Sequence, residues 1–166
     1  MCIRDRPNPA YFLEKDAIAY LEKYAKKNLE RKGNIYMQTG GIGLQNISPK
    51  RKNYQGTVII LIDGKTSSAA GDFTGLVKAH NRATFIGEET GGNPYVNTAG
   101  IRLTLELPYS GIRVFIPTLK YVINIEGNNT GQGMQPDYPI QLDMQDIINK
   151  RDKAMEFVLY SKPYKK

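Results

Sequence analysis

From Pro9 to Arg31 the apolar residues Leu13, Ala17, Tyr20, Leu21, Tyr24 and Leu29 recur at helical spacing among lysines and glutamates, with Gly33 just beyond. This period predicts one amphipathic helix that stops before the glycine. Residues 38–56 follow neither a helical nor a strand period; Gly40, Gly41, Gly43, Pro49 and the basic run Lys50–Lys52 mark a connecting loop, with a short strand near Tyr36. Thr57-Val58-Ile59-Ile60-Leu61-Ile62 is a continuous apolar, β-branched run closed by Asp63-Gly64, the pattern of a strand buried on both faces. Ser68 through Ala79 reads as a helix with Phe73, Leu76 and Val77 inward, and Thr84–Ile86 as the next strand, so the stretch forms a βαβ unit. Ile101–Leu107 and Ile112–Ile116 alternate around Pro108–Gly111 as a β-hairpin. Leu119–Ile125 adds a further strand, residues 126–139 form a Gly- and Pro-rich loop, and Met144–Tyr160 carries one or two terminal helices.

Composition narrows the class without adding chemistry. The chain has 166 residues, 40% hydrophobic and 23% charged, which suits one globular domain. No apolar run approaches the roughly 18 residues a membrane span needs. The formal charge of +7 is spread over Lys15–Lys52 and a basic tail at 163–166, so solvated faces account for it; a nucleic-acid footprint would cluster on one stripe beside a recognition motif. The single cysteine, Cys2, lies in Met1-Cys2-Ile3-Arg4-Asp5-Arg6, which fits neither a signal peptide nor the helix that follows and resembles a translated adapter remnant. With residues 1–6 set aside, thiol and disulfide chemistry drop out.

The sharpest feature is Asp63-Gly64-Lys65-Thr66-Ser67-Ser68-Ala69-Ala70-Gly71-Asp72, which sets small hydroxylated residues between a strand end and a helix start. Two readings are open for Ser68. It caps the helix, as serines at this position commonly do, or it is a nucleophile held by a rigid strand, with helix N–H groups ready for an oxyanion. Glu88 and Glu89 are neighbours at a strand end and point to opposite sides, so a structural role is expected for both. The only histidine, His80, lies at the far end of the Ser68 helix, roughly 18 Å away at about 1.5 Å per residue, and is expected to be a C-terminal cap or surface residue. Lys65 and Lys120 are expected at the surface. With no Cys/His cluster, Walker-type loop or dinucleotide fingerprint, no metal or nucleotide cofactor is expected.

Three segments in order, Ile62-Asp63-Gly64 through Ser67-Ser68-Ala69-Ala70-Gly71-Asp72-Phe73, then Phe85-Ile86-Gly87-Glu88-Glu89-Thr90-Gly91-Gly92-Asn93, then Gly131-Gln132-Gly133-Met134-Gln135-Pro136-Asp137, resemble the tail-specific, or C-terminal processing, serine peptidases. The resemblance covers roughly residues 55–160. It implies an α/β fold of stacked ββα units of the Clp protease and crotonase type, with the β-hairpin and C-terminal helices added and the N-terminal portion lying upstream; residues 7–162 would then be the C-terminal part of one catalytic domain. It implies Ser68 as nucleophile and the N–H of Ala69 as one oxyanion donor. The second donor, from an Asp-Leu-Arg-x-Asn-x-Gly-Gly segment, has no counterpart here and is expected before Pro7. Members with a Ser-Lys dyad carry lysine where this chain has Asn93, so the dyad does not carry over. The branch resembling the tricorn protease core uses an upstream histidine oriented by a glutamate, and Glu126 occupies that place. The implied activity is acyl-enzyme hydrolysis of unfolded or C-terminal peptide segments outside the cytoplasm, with this stretch inactive by itself. Two rivals keep the same architecture: a non-catalytic peptide- or ligand-binding relative, and an acyl-CoA enzyme of crotonase type.

Overall fold

The computed structural model describes residues 12–13, 15–41, 44–98, 100, 102–127 and 130–161. The expectations for residues 1–6 and for the basic tail at 163–166 fall outside them. The elements in chain order are α1 (Lys15–Asn28), β1 (Leu29–Lys32), β2 (Ile35–Gln38), β3 (Ile59–Ile62), α2 (Ala69–Ala79), β4 (Thr84–Gly87), β5 (Val96–Asn97), β6 (Arg102–Glu106), β7 (Arg113–Pro117), β8 (Tyr121–Val122), β9 (Tyr138–Pro139), α3 (Met144–Ile148) and α4 (Lys153–Ser161). They fall into two compact units, Met1–Asn53 with Gly100–Thr118, and Tyr54–Ala99 with Leu119–Lys166.

In the first unit, the helix expected over Pro9–Arg31 ends at Asn28, and Leu29–Lys32 turns back as an antiparallel hairpin with Ile35–Gln38. Lys32 pairs with Ile35, which leaves the two-residue loop Gly33-Asn34, with Gly33 at φ 64°. A Gly-Asn pair with positive φ at its glycine suits a tight hairpin whose twist matches its strands. Gly33 therefore turns a hairpin and does not stop a helix. The predicted hairpin β6–β7 forms in full, Arg102 opposite Pro117 through Glu106 opposite Arg113, and buried Phe12 bridges to Leu105.

The second unit is built on the β3–α2–β4 crossover that the sequence predicts. β3 and β4 pair in parallel, Ile59 with Thr84 through Ile62 with Gly87, and β9 adds to the other side of β4. β9 lies inside the stretch read as a loop; its two residues, one of them proline, are too few to show a period. Ile62, Phe85 and Met134 form the buried cluster, with Ile60, Val77 and Ala83 packed against it. Burying each large side chain contributes about 1.5–3 kcal/mol. β3 is less enclosed than predicted: it is an edge strand of its three-stranded sheet, and Leu61 is 37% exposed. The inward face of α2 also differs. Gly71, Thr74 and Gly75 are buried while Phe73 and Leu76 are exposed, because the backbone of the Gly92–Pro94 segment lies against the helix where only small residues leave room.

Asp137 fixes β9 to this core. Its Oδ2 accepts the N–H of fully buried Phe85 at 2.8 Å, its own N–H donates to Phe85 O at 2.8 Å, and its Oδ1 pairs with Lys78 of α2. Burial pushes the carboxyl up, but the Lys78 hydrogen bond, the Phe85 amide and the Lys78 charge together hold it below its ordinary value of 3.8. The Lys78 pair is more than a third exposed and contributes at most about 1 kcal/mol; the buried amide matters more. Asp137→Ala is expected to cost about 1–3 kcal/mol in urea unfolding at pH 7 by leaving that N–H unpaired. A carboxyl depressed by folding stabilises fully above its unfolded pKa and loses this contribution as pH falls through the folded one. The difference between wild type and variant is therefore expected to narrow as pH falls below about 3.8.

The C-terminal stretch forms two helices. Asp143 and Asp146 make a reciprocal capping box at the start of α3, each side chain accepting the other's N–H at 2.9 Å. Lys153 binds both carboxylates, and Arg151 joins buried Asp146 to Glu156. The Asp146 N–H, followed by Lys153, lowers the Asp143 carboxyl to about 2.

Candidate active site

Ser68 stands at the junction the sequence singled out, between the end of β3 and the first turn of α2. The turn leading to it is braced by Asp63, whose Oδ1 accepts the Lys65 N–H at 2.9 Å and whose carbonyl accepts the Thr66 N–H at 2.9 Å. Ser68 itself has φ 53° and ψ −127°. A non-glycine residue there carries roughly 1–3 kcal/mol of backbone strain, of the kind seen where a nucleophile is thrust out of a sharp strand-to-helix turn. Ser68 occupies the N-cap position, yet its side chain makes no capping hydrogen bond and is exposed. Its carbonyl accepts the Asp72 N–H at 3.0 Å, and Ser67 O accepts the Ala70 N–H at 3.1 Å. No acceptor among the described residues engages the N–H of Ala69. A hydroxyl without a cap bond thus adjoins a free N–H at the positive end of an eleven-residue helix.

The second and third motif segments close around this turn. The Gly92 N–H donates to Thr66 O at 3.0 Å, and a Cβ at Gly92 would stand 2.8 Å from Ser67 Cα and 3.3 Å from Ser68 N. That approach requires glycine. Buried Thr90 joins segment two to segment three: its N–H donates to Met134 O at 3.1 Å, and its Oγ1 accepts the Met134 N–H at 2.7 Å and donates to Gly92 O at 2.8 Å. Glu89 accepts the Gly133 N–H at 2.7 Å, and Glu88 the Leu142 N–H at 3.3 Å. Both glutamates bind backbone of different loops, the structural role expected for them.

Asn93, at the dyad-lysine position, is a backbone clamp. Its Nδ2 donates to Gln132 O at 2.9 Å, and its Oδ1 accepts the N–H groups of Tyr95 and Val96 at 2.9 and 3.1 Å. His80 is the C-cap of α2, exposed, at the opposite end from Ser68. Lys65 and Lys120 are exposed. Glu126 is exposed on the loop after β8 and makes no hydrogen bond or ion pair among the described residues; Ile123, three residues earlier, donates its N–H to Tyr95 O at 2.9 Å. Its loop thus leaves the strand pair that continues segment two. The role of Thr90 as a bridge was not legible, since a threonine among glycines carries no period. Asp72 Oδ2 accepts the Asn97 Nδ2–H at 2.8 Å, a contact that no sequence period marks because β5 is only two residues long.

The sequence matches the profile of Peptidase family S41 over residues 9–140. No functionally curated protein sequence matches the chain. Among solved structures, a "putative peptidase" from Parabacteroides merdae ATCC 43184 resembles it with a TM-score of 0.51 and 23% identity, over 80% of this chain. This chain spans 37% of that protein's length. The likeness supports the α/β architecture, and the family supports a Clp-protease-like fold. No described helix is long and apolar enough to cross a membrane. The family match covers most of the sequence and contains all three segments that assemble around Ser68 and Ala69, and on that ground the chain belongs to Peptidase family S41.

Proposed function

We propose that this chain carries the nucleophile-bearing part of a serine endopeptidase that cleaves unfolded or C-terminal peptide segments through an acyl-enzyme, with residues 7–162 forming one part of its catalytic domain. The observation that carries the reading is Ser68: strained at φ 53°, exposed, without a capping bond, and next to the N–H of Ala69, which no acceptor among the described residues engages. In the proposed cycle a histidine upstream of Pro7 takes the Ser68 Oγ proton as Oγ bonds the scissile carbonyl carbon. The Ala69 N–H and a donor from the same upstream region hold the oxyanion. The histidine then gives its proton to the leaving amine, and water attacks the ester in the same manner, returning the proton to Oγ. Glu126 is assigned the orienting role, fixing the imidazole tautomer and stabilising its charged form. By this assignment the 166 residues alone lack turnover. The resemblance further suggests action outside the cytoplasm.

The test is covalent labelling of the full-length protein by a fluorophosphonate, mapped by mass spectrometry. Modification of Ser68 near one equivalent is expected, together with hydrolysis of an unfolded protein substrate. A folded full-length protein unlabelled at Ser68 would overturn the reading in favour of a non-catalytic peptide-binding relative, and retention of CoA would favour the crotonase-type alternative.

A further inference from the structure

Asp72 lies in the first motif segment, one helical turn past Ser68, and its carboxylate reaches out of α2. Oδ2 accepts the Asn97 Nδ2–H at 2.8 Å, and Oδ1 is buried without a hydrogen-bond partner among the described residues. A half-satisfied buried carboxylate is costly, and an apolar residue would serve better if position 72 only packed. The helix N-terminus offsets part of the cost. Asn97 stands on β5, which pairs antiparallel with β8, Asn97 opposite Tyr121, and β8 leads within four residues to Glu126. The Ile123-to-Tyr95 hydrogen bond extends the same pair towards Glu126. α2 thus holds the β5–β8 pair by a side-chain bond rooted one turn from the nucleophile.

We propose that Asp72 is a positioning residue: through Asn97 and the β5–β8 pair it sets the Glu126 loop relative to Ser68. This rests on the assignment of Ser68 and Glu126 above. Glu126 is exposed and makes no bond among the described residues, so its placement comes from the strand pair that delivers it. The Asp72–Asn97 bond joins that pair to the helix carrying Ser68. A misplacement of about 1 Å that originates away from the chemistry can cost about 100-fold in rate.

The experiment compares Asp72→Ala, Asn97→Ala and the exchanged pair Asp72→Asn/Asn97→Asp in the full-length enzyme, each checked for native circular dichroism. The two alanine variants are expected to lower kcat roughly 10- to 100-fold with little change in KM. They are also expected to move the acid limb of the kcat/KM profile to lower pH, because a histidine that loses its carboxylate neighbour has a lower pKa. The exchanged pair, which can rebuild the bond with its polarity reversed, is expected to restore both. In a Glu126→Gln background the alanine changes should add no further shift. If folded Asp72→Ala keeps wild-type kcat and acid limb, or the exchanged pair is no better than the alanines, the proposal fails. If an alanine variant does not fold, the exchanged pair decides by itself: near-wild-type kcat and acid limb support the proposal, and anything less overturns it. Labelling of Ser68 in the wild type separates these outcomes from failure of the peptidase reading, since a labelled, active enzyme indifferent to Asp72 refutes only this inference.

Discussion

Ser68→Ala is expected to abolish peptide hydrolysis in the full-length protein, lowering kcat by roughly 10⁴- to 10⁶-fold, while leaving unfolding free energy within about 0.5 kcal/mol of wild type. The two halves of this prediction come from the same geometry. A capping serine loses about 1 kcal/mol when cut back to alanine, because a helix N–H loses its acceptor. Ser68 makes no such bond, and alanine at φ 53° carries the same backbone strain as serine, so the stability ledger barely changes. The hydroxyl is the only group removed, and under the proposed mechanism its oxygen bonds the substrate. Urea unfolding and turnover of an unfolded substrate measure both halves. A variant that loses stability but keeps turnover would return Ser68 to the helix cap.

Gly133→Ala is expected to be the most damaging single methyl in the second unit. A Cβ at position 133 would stand 1.7 Å from Thr90 O and 2.9 Å from Glu89 Cγ. The first of these is backbone and has no rotamer to escape into. Relief means parting the segments that the Thr90–Met134 pair of hydrogen bonds and the Glu89–Gly133 bond hold together. Overpacking costs about 1–3 kcal/mol, and each buried group left unpaired adds about 1–3 kcal/mol. Together these approach the whole stability of an ordinary domain. Loss of a cooperative urea transition is the expected result. Gly40→Ala, where nothing lies within 4 Å of the new Cβ, is the control and is expected to stay within about 0.5 kcal/mol. If Gly133→Ala unfolds like wild type, segments two and three are not clamped as described.

The readable parts of this chain were those where a local period and local turn chemistry agree. The β3–α2–β4 crossover announces itself through an apolar run, an Asp-Gly turn and a helix-length stretch. The β6–β7 hairpin does so through alternation about Pro108–Gly111. Where two signals compete, the pattern misleads: Leu29 continues the helical spacing of α1, but Gly33-Asn34 makes a hairpin turn that captures Leu29–Lys32 as a strand. Short elements such as β9 leave no period at all. Apolarity points to Phe73 and Leu76 as the inward face of α2, whereas the close approach of another backbone selects for smallness, Gly71 and Gly75.

The sequence by itself determined which residues are candidates for chemistry, because three ordered segments with their small and glycine residues carry the family resemblance: Ser68 and Ala69 at a helix start, Asn93 where related chains have a lysine, Glu126 before the Pro-Asp pair. Only the tertiary structure decided what each does with its neighbours. That Ser68 is strained and uncapped, that Thr90 fastens two segments forty-four residues apart, and that Asp72 reaches Asn97 across twenty-five residues are long-range facts. Such bonds depend on where the chain returns in space, and no local period encodes that return.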